Sequence, residues 1–518
     1  MPTSHLLAID VGTQSTRAIV FDAKGTLLAK AQVAHEPVHT APQPGWAEQD
    51  PDLYWRAVTS ACQSLWAQGM QAQDVAGLAL TTQRATMICT DARGTPLRPA
   101  IVWLDQRECE SPPQMSALWR AAFAVAGATP LIRHAQRQAE CNWLNQHEPT
   151  LWQDTAKFLF LSGWLSHRLT GEFVDSVGSQ VGYVPFDYKR QQWAAPSDFK
   201  WQAFAVNRDQ LPRLVPPGQT MGALTAAAAE SLGLPSGLPV IAAGADKACE
   251  VLGCGVVEPR TAQLSFGTSA TINTTQSHYL EVQRLAPAYP AAMPAAWNTE
   301  IQINRGFWMV SWFKREFAHR ETTLAKERGV AVESLFDALV QSVPPGALGL
   351  TLQPYWSPGV RDPGPEAKGA IIGFGDVHTR AHFYRAILEG LVYGLRAGRE
   401  QIEARLGQKI NRLVVAGGGS QSDAAMQITA DVFNLVAERP AIYETSALGA
   451  AINCAVGLGL HRDHASAVAA MCKPGQRFTP NAEATRIYDA LYRGVYRELY
   501  PRLKPLYERI RKITGYPA

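Results

Sequence analysis

Asp246 stands just past an apolar run, residues 239–243, in a Gly244-Ala245 setting. A carboxylate there is placed to take the proton of a hydroxyl, which is the task of a general base. Capping a helix is the plainer use of Asp at such a place, and one residue can serve both ends. Asp10-Val11-Gly12-Thr13-Gln14-Ser15-Thr16-Arg17 follows a second apolar run, residues 6–9. Its small residues let backbone amides approach an anion while Arg17 adds fixed positive charge, so Thr13, Ser15 and Arg17 fit a phosphate clamp. The pattern returns as Gly267-Thr268-Ser269, and the repetition makes a plain hairpin tip a weaker explanation for either copy. Gly417-Gly418-Gly419 is bare backbone on which a planar base or a sugar could lie; a tight strand-to-helix turn explains it equally well. Gln83-Arg84 and Trp103-Leu104-Asp105-Gln106-Arg107 put polar groups at two further strand ends, where they could line a sugar pocket or simply form surface turns and local ion pairs.

Positioning such groups takes strands that stop where the chemistry starts. Residues 6–9 and 17–21 flank the small-residue stretch and the turn Asp22-Ala23-Lys24-Gly25 follows, so the spacing predicts a β-hairpin and a third strand near Leu27. Residues 262–274 repeat the arrangement about half a chain later, which points to two related domains. Between them, 52–68 has helical periodicity, 75–81 reads as a strand, and 87–90 reads as a hairpin arm. Further on, the pattern predicts a helix over 380–396, a strand over 412–416, helices over 423–433 and 448–456, and a charged helical stretch over 487–513. Alternating strands and helices make the class α/β, in which ligands sit at the carboxyl ends of strands. A chain of 518 residues exceeds one ordinary domain, and the boundary falls near Glu258-Pro259, giving 1–257 and 258–518 with no low-complexity linker.

Composition narrows the partners. A formal net charge of +3, with 18% charged residues, lacks the dense basic face that nucleic acid requires. The eight scattered cysteines have neither a Cys-x-x-Cys pair nor zinc spacing and read as buried, reduced thiols. The start of the chain lacks the layout of an export signal. The most apolar long stretch, 232–257, carries Asp246, Lys247 and Glu250, so a cytoplasmic protein without a membrane span is expected. No Gly-x-x-x-x-Gly-Lys-Ser/Thr stretch supports a P-loop. His461-Arg462-Asp463 lacks the companions of a protein-kinase catalytic loop and reads as surface. The His35/His39 and His378/His382 pairs, four apart, lack an acidic partner for zinc chemistry.

These residues together resemble the FGGY carbohydrate kinases, a family that includes glycerol kinase, xylulokinase, ribulokinase and gluconate kinase. The likeness spans nearly the whole chain and rests on Ile9-Asp10-Val11-Gly12-Thr13, Ile101-Val102-Trp103-Leu104-Asp105-Gln106-Arg107, Leu169-Thr170-Gly171-Glu172, Gly244-Ala245-Asp246, Ser265-Phe266-Gly267-Thr268-Ser269 and Ala447-Leu448-Gly449-Ala450-Ala451. Its most specific part is Gly369-Ala370-Ile371-Ile372-Gly373-Phe374, then seven residues, then His382-Phe383-Tyr384-Arg385-Ala386-Ile387-Leu388-Glu389, with Phe374 the loose fit. The resemblance implies two ribonuclease-H-like (actin-like ATPase) domains with a ligand cleft between them, sugar held mainly by the first and ATP by the second. It further implies that Asp10 helps hold Mg2+ and that Thr13, Ser15 and Arg17 meet the transferred phosphate. By the same carry-over Asp246 is the base, Gly267 and Thr268 touch phosphates, and Gly417, Gly418, Gly419, Ser422 and Asp423 meet the nucleoside. Gln83, Arg84, Trp103, Asp105 and Lys247 would join Asp246 around the substrate.

The chain departs from the family at places that bear on the substrate. Ala85, Lys247 and Thr271 stand where glycerol kinases carry an acidic residue, an amide and an aromatic, which argues against glycerol. Arg84-Ala85 replaces the Met-His of xylulokinases, and Glu140 stands where a basic residue is expected. The smaller Ala85 and Thr271 leave room for a larger substrate, and Lys247 could meet an oxygen-rich or acidic group. A ketopentose such as xylulose is the favoured substrate, with a sugar acid or another polyol open. An actin-like ATPase driving a protein partner, or a sugar sensor without turnover, are the rival readings. A homodimer, common among such kinases, is left open by the sequence.

Overall fold

The computed structural model describes residues 4–330, 332–359 and 363–516; the first three residues of the N-terminal stretch read above lie outside them. The chain forms two compact units. One comprises the chain up to Gly255 with Gln276–Asn298 and Glu444–Lys473; the other comprises Val256–Thr275, Thr299–Tyr443 and the chain from Pro474 onward. The chain first passes from one unit to the other at Gly255/Val256, and two later segments return to the first unit. The second of those segments carries the helix Thr445–Gly457, which packs on the strands His5–Val11 and Val75–Thr82 and so belongs with the first unit's core.

The first unit is organised on a six-stranded sheet in the order Thr220–Ala223, Pro239–Ile241, Val75–Thr82, His5–Val11, Ser15–Phe21, Leu27–Ala34. The central strands Pro239–Ile241, Val75–Thr82 and His5–Val11 run parallel, and the hairpin and edge strands are antiparallel. Side chains alternate along a strand, so His5–Val11 presents two faces, and both are buried. Leu7, Ile9 and Val11 join a core with Tyr54, Trp55, Val58, Ala61 and Leu65. These come from the helix Pro51–Ala67, whose apolar positions recur at helical spacing, whose first turn is capped by Asp50 and which opens with Pro51. Leu6, Ala8 and Asp10 take the other face. Leu6 lies opposite Gly77, where a Cβ would already stand 3.1 Å from Leu458, just past the helix Thr445–Gly457.

The second unit repeats the plan. Its sheet runs inward from the short edge strand Tyr289–Pro290 in the order Trp297–Ile303, Ala270–Gln276, Thr261–Phe266, Arg412–Ala416, Ala437–Pro440, Pro474–Phe478, again with a hairpin next to parallel strands. The helix Asp423–Phe433 matches its expected span, whereas the helix from Arg380 runs to Leu406 rather than 396. Gly398 does not break it, because a Cβ there would stand 2.8 Å from Ile272 and the helix packs closely at that point; it stops only at Gly407, whose φ of 66° ends a helix cheaply. Residues 487–513, read as helical, comprise the end of Ala482–Leu491, a π-helical turn Tyr492–Tyr496 and Arg497–Thr514. Of the eight cysteines seven are buried, Cys472 is half-buried, and all are free thiols. No helix among the described residues is long and apolar enough to cross a membrane.

Candidate active site

In the first unit the three parallel strands end side by side. His5–Val11 leads into Gly12–Gln14, Val75–Thr82 into Gln83-Arg84, and Pro239–Ile241 into Gly244-Ala245-Asp246. Register locks them: Val11 pairs with Thr82, the Gln83 amide donates to the Val11 carbonyl (2.9 Å), and the Thr81 hydroxyl donates to the Gly244 carbonyl (2.8 Å). Asp10, Gln83, Arg84 and Asp246 thus gather at one end of one sheet.

Asp246 is the first residue of the helix Asp246–Gly253, where the unpaired amides favour a negative charge. One carboxylate oxygen accepts the Lys247 amide at 2.7 Å, and among the described residues the other takes no hydrogen bond. The N-cap of this helix is Ala245, so Asp246 is not its capping residue; its carboxylate meets one first-turn amide and keeps a free acceptor. Burial raises the Asp246 pKa above the ordinary carboxylate range, and Arg84 and Lys247 pull it back. Asp10, 5% exposed, is pushed by burial up to about 7; Arg17 opposes the rise, and the charges of Asp246 and Glu444 add to it. The two carboxylates therefore sense each other, as groups sharing one ligand site should.

Around the hairpin tip the Gly12 amide donates to the Ser15 carbonyl (3.0 Å), and among the described residues the Thr13 and Gln14 amides donate to no protein group. Such a pair of free amides is what an anion-binding turn offers. Arg17 spans Asp10 (3.2 Å) and Glu444 (3.7 Å), and Glu444, buried, also holds Lys30 at 2.7 Å. The Trp103 indole, half exposed, donates to Thr13 Oγ1 at 2.8 Å and so joins the end of the strand Ala100–Ile101 to the tip. Arg84 lies 5.5 Å from the ring centre of Tyr289.

Several expected contacts are engaged within the protein instead. The Asp105 carboxylate is buried and accepts from the Ala47 amide and from Arg107, which is stacked 3.9 Å from the Trp46 ring centre. It orders the loop after Trp103 and points at no open space. Lys247 Nζ pairs with Glu250 at 2.8 Å one turn along its helix, and Ser15 Oγ accepts from Gln32 at 3.1 Å. Thr271 is fully buried and accepts from Asn273 at 2.9 Å, so its small size opens no pocket in its own unit. Ala85, next to Arg84, sits at φ 50°, a left-handed conformation that costs an L-residue roughly 1–2 kcal/mol. Strain of that kind at a strand end is typical of sites that must aim a neighbour.

In the second unit the Gly267 amide donates to the Ser269 carbonyl (3.1 Å), and among the described residues the Thr268 and Ser269 amides again donate to no protein group. Ser265 lies opposite Ala416, which sets the Gly417–Gly419 turn beside this tip. The three glycines have different reasons to be glycine. A Cβ on Gly417, at φ 87°, would meet the Phe266 backbone at 2.9 Å, and one on Gly419 would meet the Phe307 ring at 2.3 Å. Those two are demanded by packing. Gly418 is open, its nearest neighbour the Tyr443 hydroxyl at 3.7 Å. Ser422 caps the helix Asp423–Phe433 and donates to Asp337; the Asp423 amide also bonds Asp337 (3.0 Å), and its carboxylate pairs with Arg439 (2.7 Å). Glu444 and Asp337 went unread in the sequence. Glu444 precedes a helix without capping it by side chain, and Asp337 lies in a helix, Glu333–Gln341, whose pattern stands out little.

Two ribonuclease-H-like units, each with a small-residue hairpin tip beside a parallel strand end, make this an actin-like phosphotransfer fold. The chain belongs to the FGGY family of carbohydrate kinases: the family's N-terminal domain matches residues 5–253 and its C-terminal domain residues 262–458. It is accordingly a carbohydrate kinase, a phosphotransferase with an alcohol group as acceptor. It is 30% identical over 511 residues to the uncharacterized sugar kinase YgcE of Escherichia coli K12, covering 96% of this chain and 94% of that protein. It is 30% identical over 502 residues to the glycerol kinase of Acidovorax ebreus, covering 92% and 95%. The crystal structure of xylulose kinase from Rhodospirillum rubrum superposes with a TM-score of 0.81 at 26% identity, covering 97% of this chain and all of that one.

Proposed function

We propose that the protein transfers the terminal phosphoryl group of ATP to a hydroxyl of a small neutral sugar, a ketopentose such as xylulose being the first choice. The observation that carries this is the convergence of Asp10, Gln83-Arg84 and Asp246 at the ends of three adjacent parallel strands. The first unit then holds the sugar through Gln83, Arg84 and Trp103. The second holds the nucleotide along Gly267-Thr268 and Gly418. Lys247 is already paired with Glu250, which removes the main support for a sugar acid and favours a neutral substrate over it; other polyols stay as the alternative. A cytoplasmic location, where ATP is abundant, suits free thiols.

As the substrate oxygen bonds to phosphorus, its O–H bond breaks and the proton passes to the free oxygen of Asp246; the bond from phosphorus to the bridging oxygen breaks and ADP leaves. Arg84 keeps Asp246 ionised enough to accept, while Arg17 and the Thr13 and Gln14 amides face the charge of the transferred group. Among the described residues no three His, Cys, Asp or Glu cluster into a metal cage. This suits Mg2+, which usually takes one or two carboxylates and completes its shell with phosphate oxygens and water. Asp10, buried and with Asp246 and Glu444 opposing Arg17 around it, is the carboxylate that would help hold the ion; a bound Mg2+ would neutralise phosphate charge.

The test is a screen of purified protein against ketoses, polyols and sugar acids with ADP release as readout, followed by Asp246→Asn. Release with a ketopentose, reduced about 10²–10⁴-fold in the folded variant, is the expected result. No sugar-dependent release from any of them overturns the reading; unchanged turnover in the variant removes Asp246 as the base.

A further inference from the structure

His35 follows the strand Leu27–Ala34 directly, and its amide and both ring nitrogens converge on residues 13–16, the turn and the first residues of the second strand. Its amide donates to the Gln14 carbonyl at 2.8 Å, Nδ1 lies 3.1 Å from the Thr13 carbonyl oxygen, and Nε2 lies 2.8 Å from Thr16 Oγ1. A carbonyl only accepts, so Nδ1 carries the hydrogen; in the neutral ring Nε2 then accepts from the Thr16 hydroxyl. The ring is 1% exposed and meets Tyr54 edge-on at 5.2 Å, while the Tyr54 hydroxyl accepts from Gln83 Nε2 at 3.1 Å. Burial holds the imidazole pKa below its ordinary value, in keeping with a neutral strut.

Peptide units are planar and trans, so fixing one carbonyl fixes the amide on the opposite edge of the same unit. The Thr13 carbonyl shares its plane with the Gln14 amide. Gripping the one from the His35 side turns the other away from His35, and Trp103 steadies the same residue through Thr13 Oγ1. We propose that His35 is a positioning residue for phosphoryl transfer, aiming the Gln14 amide at the transferred group by holding the Thr13 carbonyl. This rests on reading the hairpin tip as the phosphate site; both ring nitrogens of His35 already have partners within the protein.

The two ring contacts can be separated by amide substitutions. An Asn side chain sets its amide nitrogen near the Nδ1 position and can keep the Thr13 grip; a Gln reaches the Nε2 position and keeps only the Thr16 side. We expect His35→Gln to lower kcat about a hundredfold, as a misplacement near 1 Å does, with the KM for sugar little changed, and His35→Asn to recover at least tenfold of that loss. Thermal melting of each variant verifies folding and reports any loss of stability, which a merely structural role would make equal in its effect on the two. Equal kcat values for folded Asn and Gln variants, or wild-type kcat in both, overturn the proposal. Should His35→Gln fail to fold, the comparison passes to His35→Asn against Thr16→Val. Asn within tenfold of wild type and Val near wild type support the Thr13 grip, and a larger loss in either overturns it. Absence of sugar-dependent ADP release from the wild-type enzyme refutes the kinase reading and this inference with it, whereas a normal wild type with indifferent variants refutes this inference alone.

Discussion

Alanine at Gly449 should damage the enzyme out of proportion to one added methyl. The helices Asp246–Gly253 and Thr445–Gly457 cross with a glycine of each against the backbone of the other. A Cβ on Gly449 would stand 2.0 Å from the Cys249 carbonyl oxygen, and one on Gly253 2.0 Å from that of Thr445. Because the obstacle is backbone, no rotamer relieves it, and the helices must part by about 1.4 Å to restore an ordinary contact. Overpacking costs roughly 1–3 kcal/mol in general, and a clash that neither partner can dodge belongs at about 3. The displacement is passed to Asp246, four helical positions or fewer from the contact at Cys249, and a shift near 1 Å in a reacting group costs about a hundredfold in rate. Urea unfolding should show a lower midpoint at unchanged slope. ADP release at saturating substrates, measured where circular dichroism reports a folded variant, should fall about a hundredfold with the KM for ATP nearly constant. A stability within about 0.5 kcal/mol of wild type would refute the packing argument, and full turnover despite a 3 kcal/mol loss would refute the claim that this crossing positions the base.

Two other perturbations probe the same unit. Burial pushes the His464 imidazole down from 6.5 to about 4, with Asp463 opposing. On acidification the unfolded chain therefore binds the proton first, so stability is full above about 6.5 and is lost between there and 4, by up to about 3 kcal/mol. His464→Gln keeps a donor for Asn453 Oδ1, now 3.0 Å from Nε2, and should flatten this acid limb in urea titrations at pH 7 and 4.5; an unchanged difference between the two pH values would show that His464 does not contribute. Glu444→Gln removes the buried anion that holds Arg17 and Lys30 and should cost about 1–2 kcal/mol, with a several-fold rise in the KM for ATP as Arg17 loses its anchor. A KM equal to wild type would place Arg17 outside phosphate binding.

Much of the scaffold is legible from local pattern. The strand at 412–416, the helix at 423–433 and both hairpins follow from apolar period and turn residues, because each is a short element buried on a predictable face. Asp246 and Asp10 are readable for the same reason: each sits at the end of a strand whose burial is evident. The use made of Asp105, Lys247 and Thr271 is not. Whether a polar group faces a ligand or a neighbour depends on partners such as Ala47, Glu250 and Asn273, two of which lie close in sequence but in a geometry that only the folded helix or strand decides. The glycine run shows the same limit. Sequence offers three equivalent glycines, and only the positions of Phe266, Phe307 and Tyr443 assign two to packing and one to open space. The return of the helix after Glu444 was beyond local reading, since it packs on strands more than 360 residues earlier.

That return has a consequence for biosynthesis. On the ribosome the N-terminal strand emerges first, yet the helix that covers Leu6 and Ala8 is among the last quarter of the chain to appear. Throughout most of translation one side of the nascent sheet lacks its native cover, and closure of the earliest-made half waits for the release of Lys473. Maturation of this enzyme is thus a late, chain-spanning event in which the beginning of the polypeptide is finished only by its end.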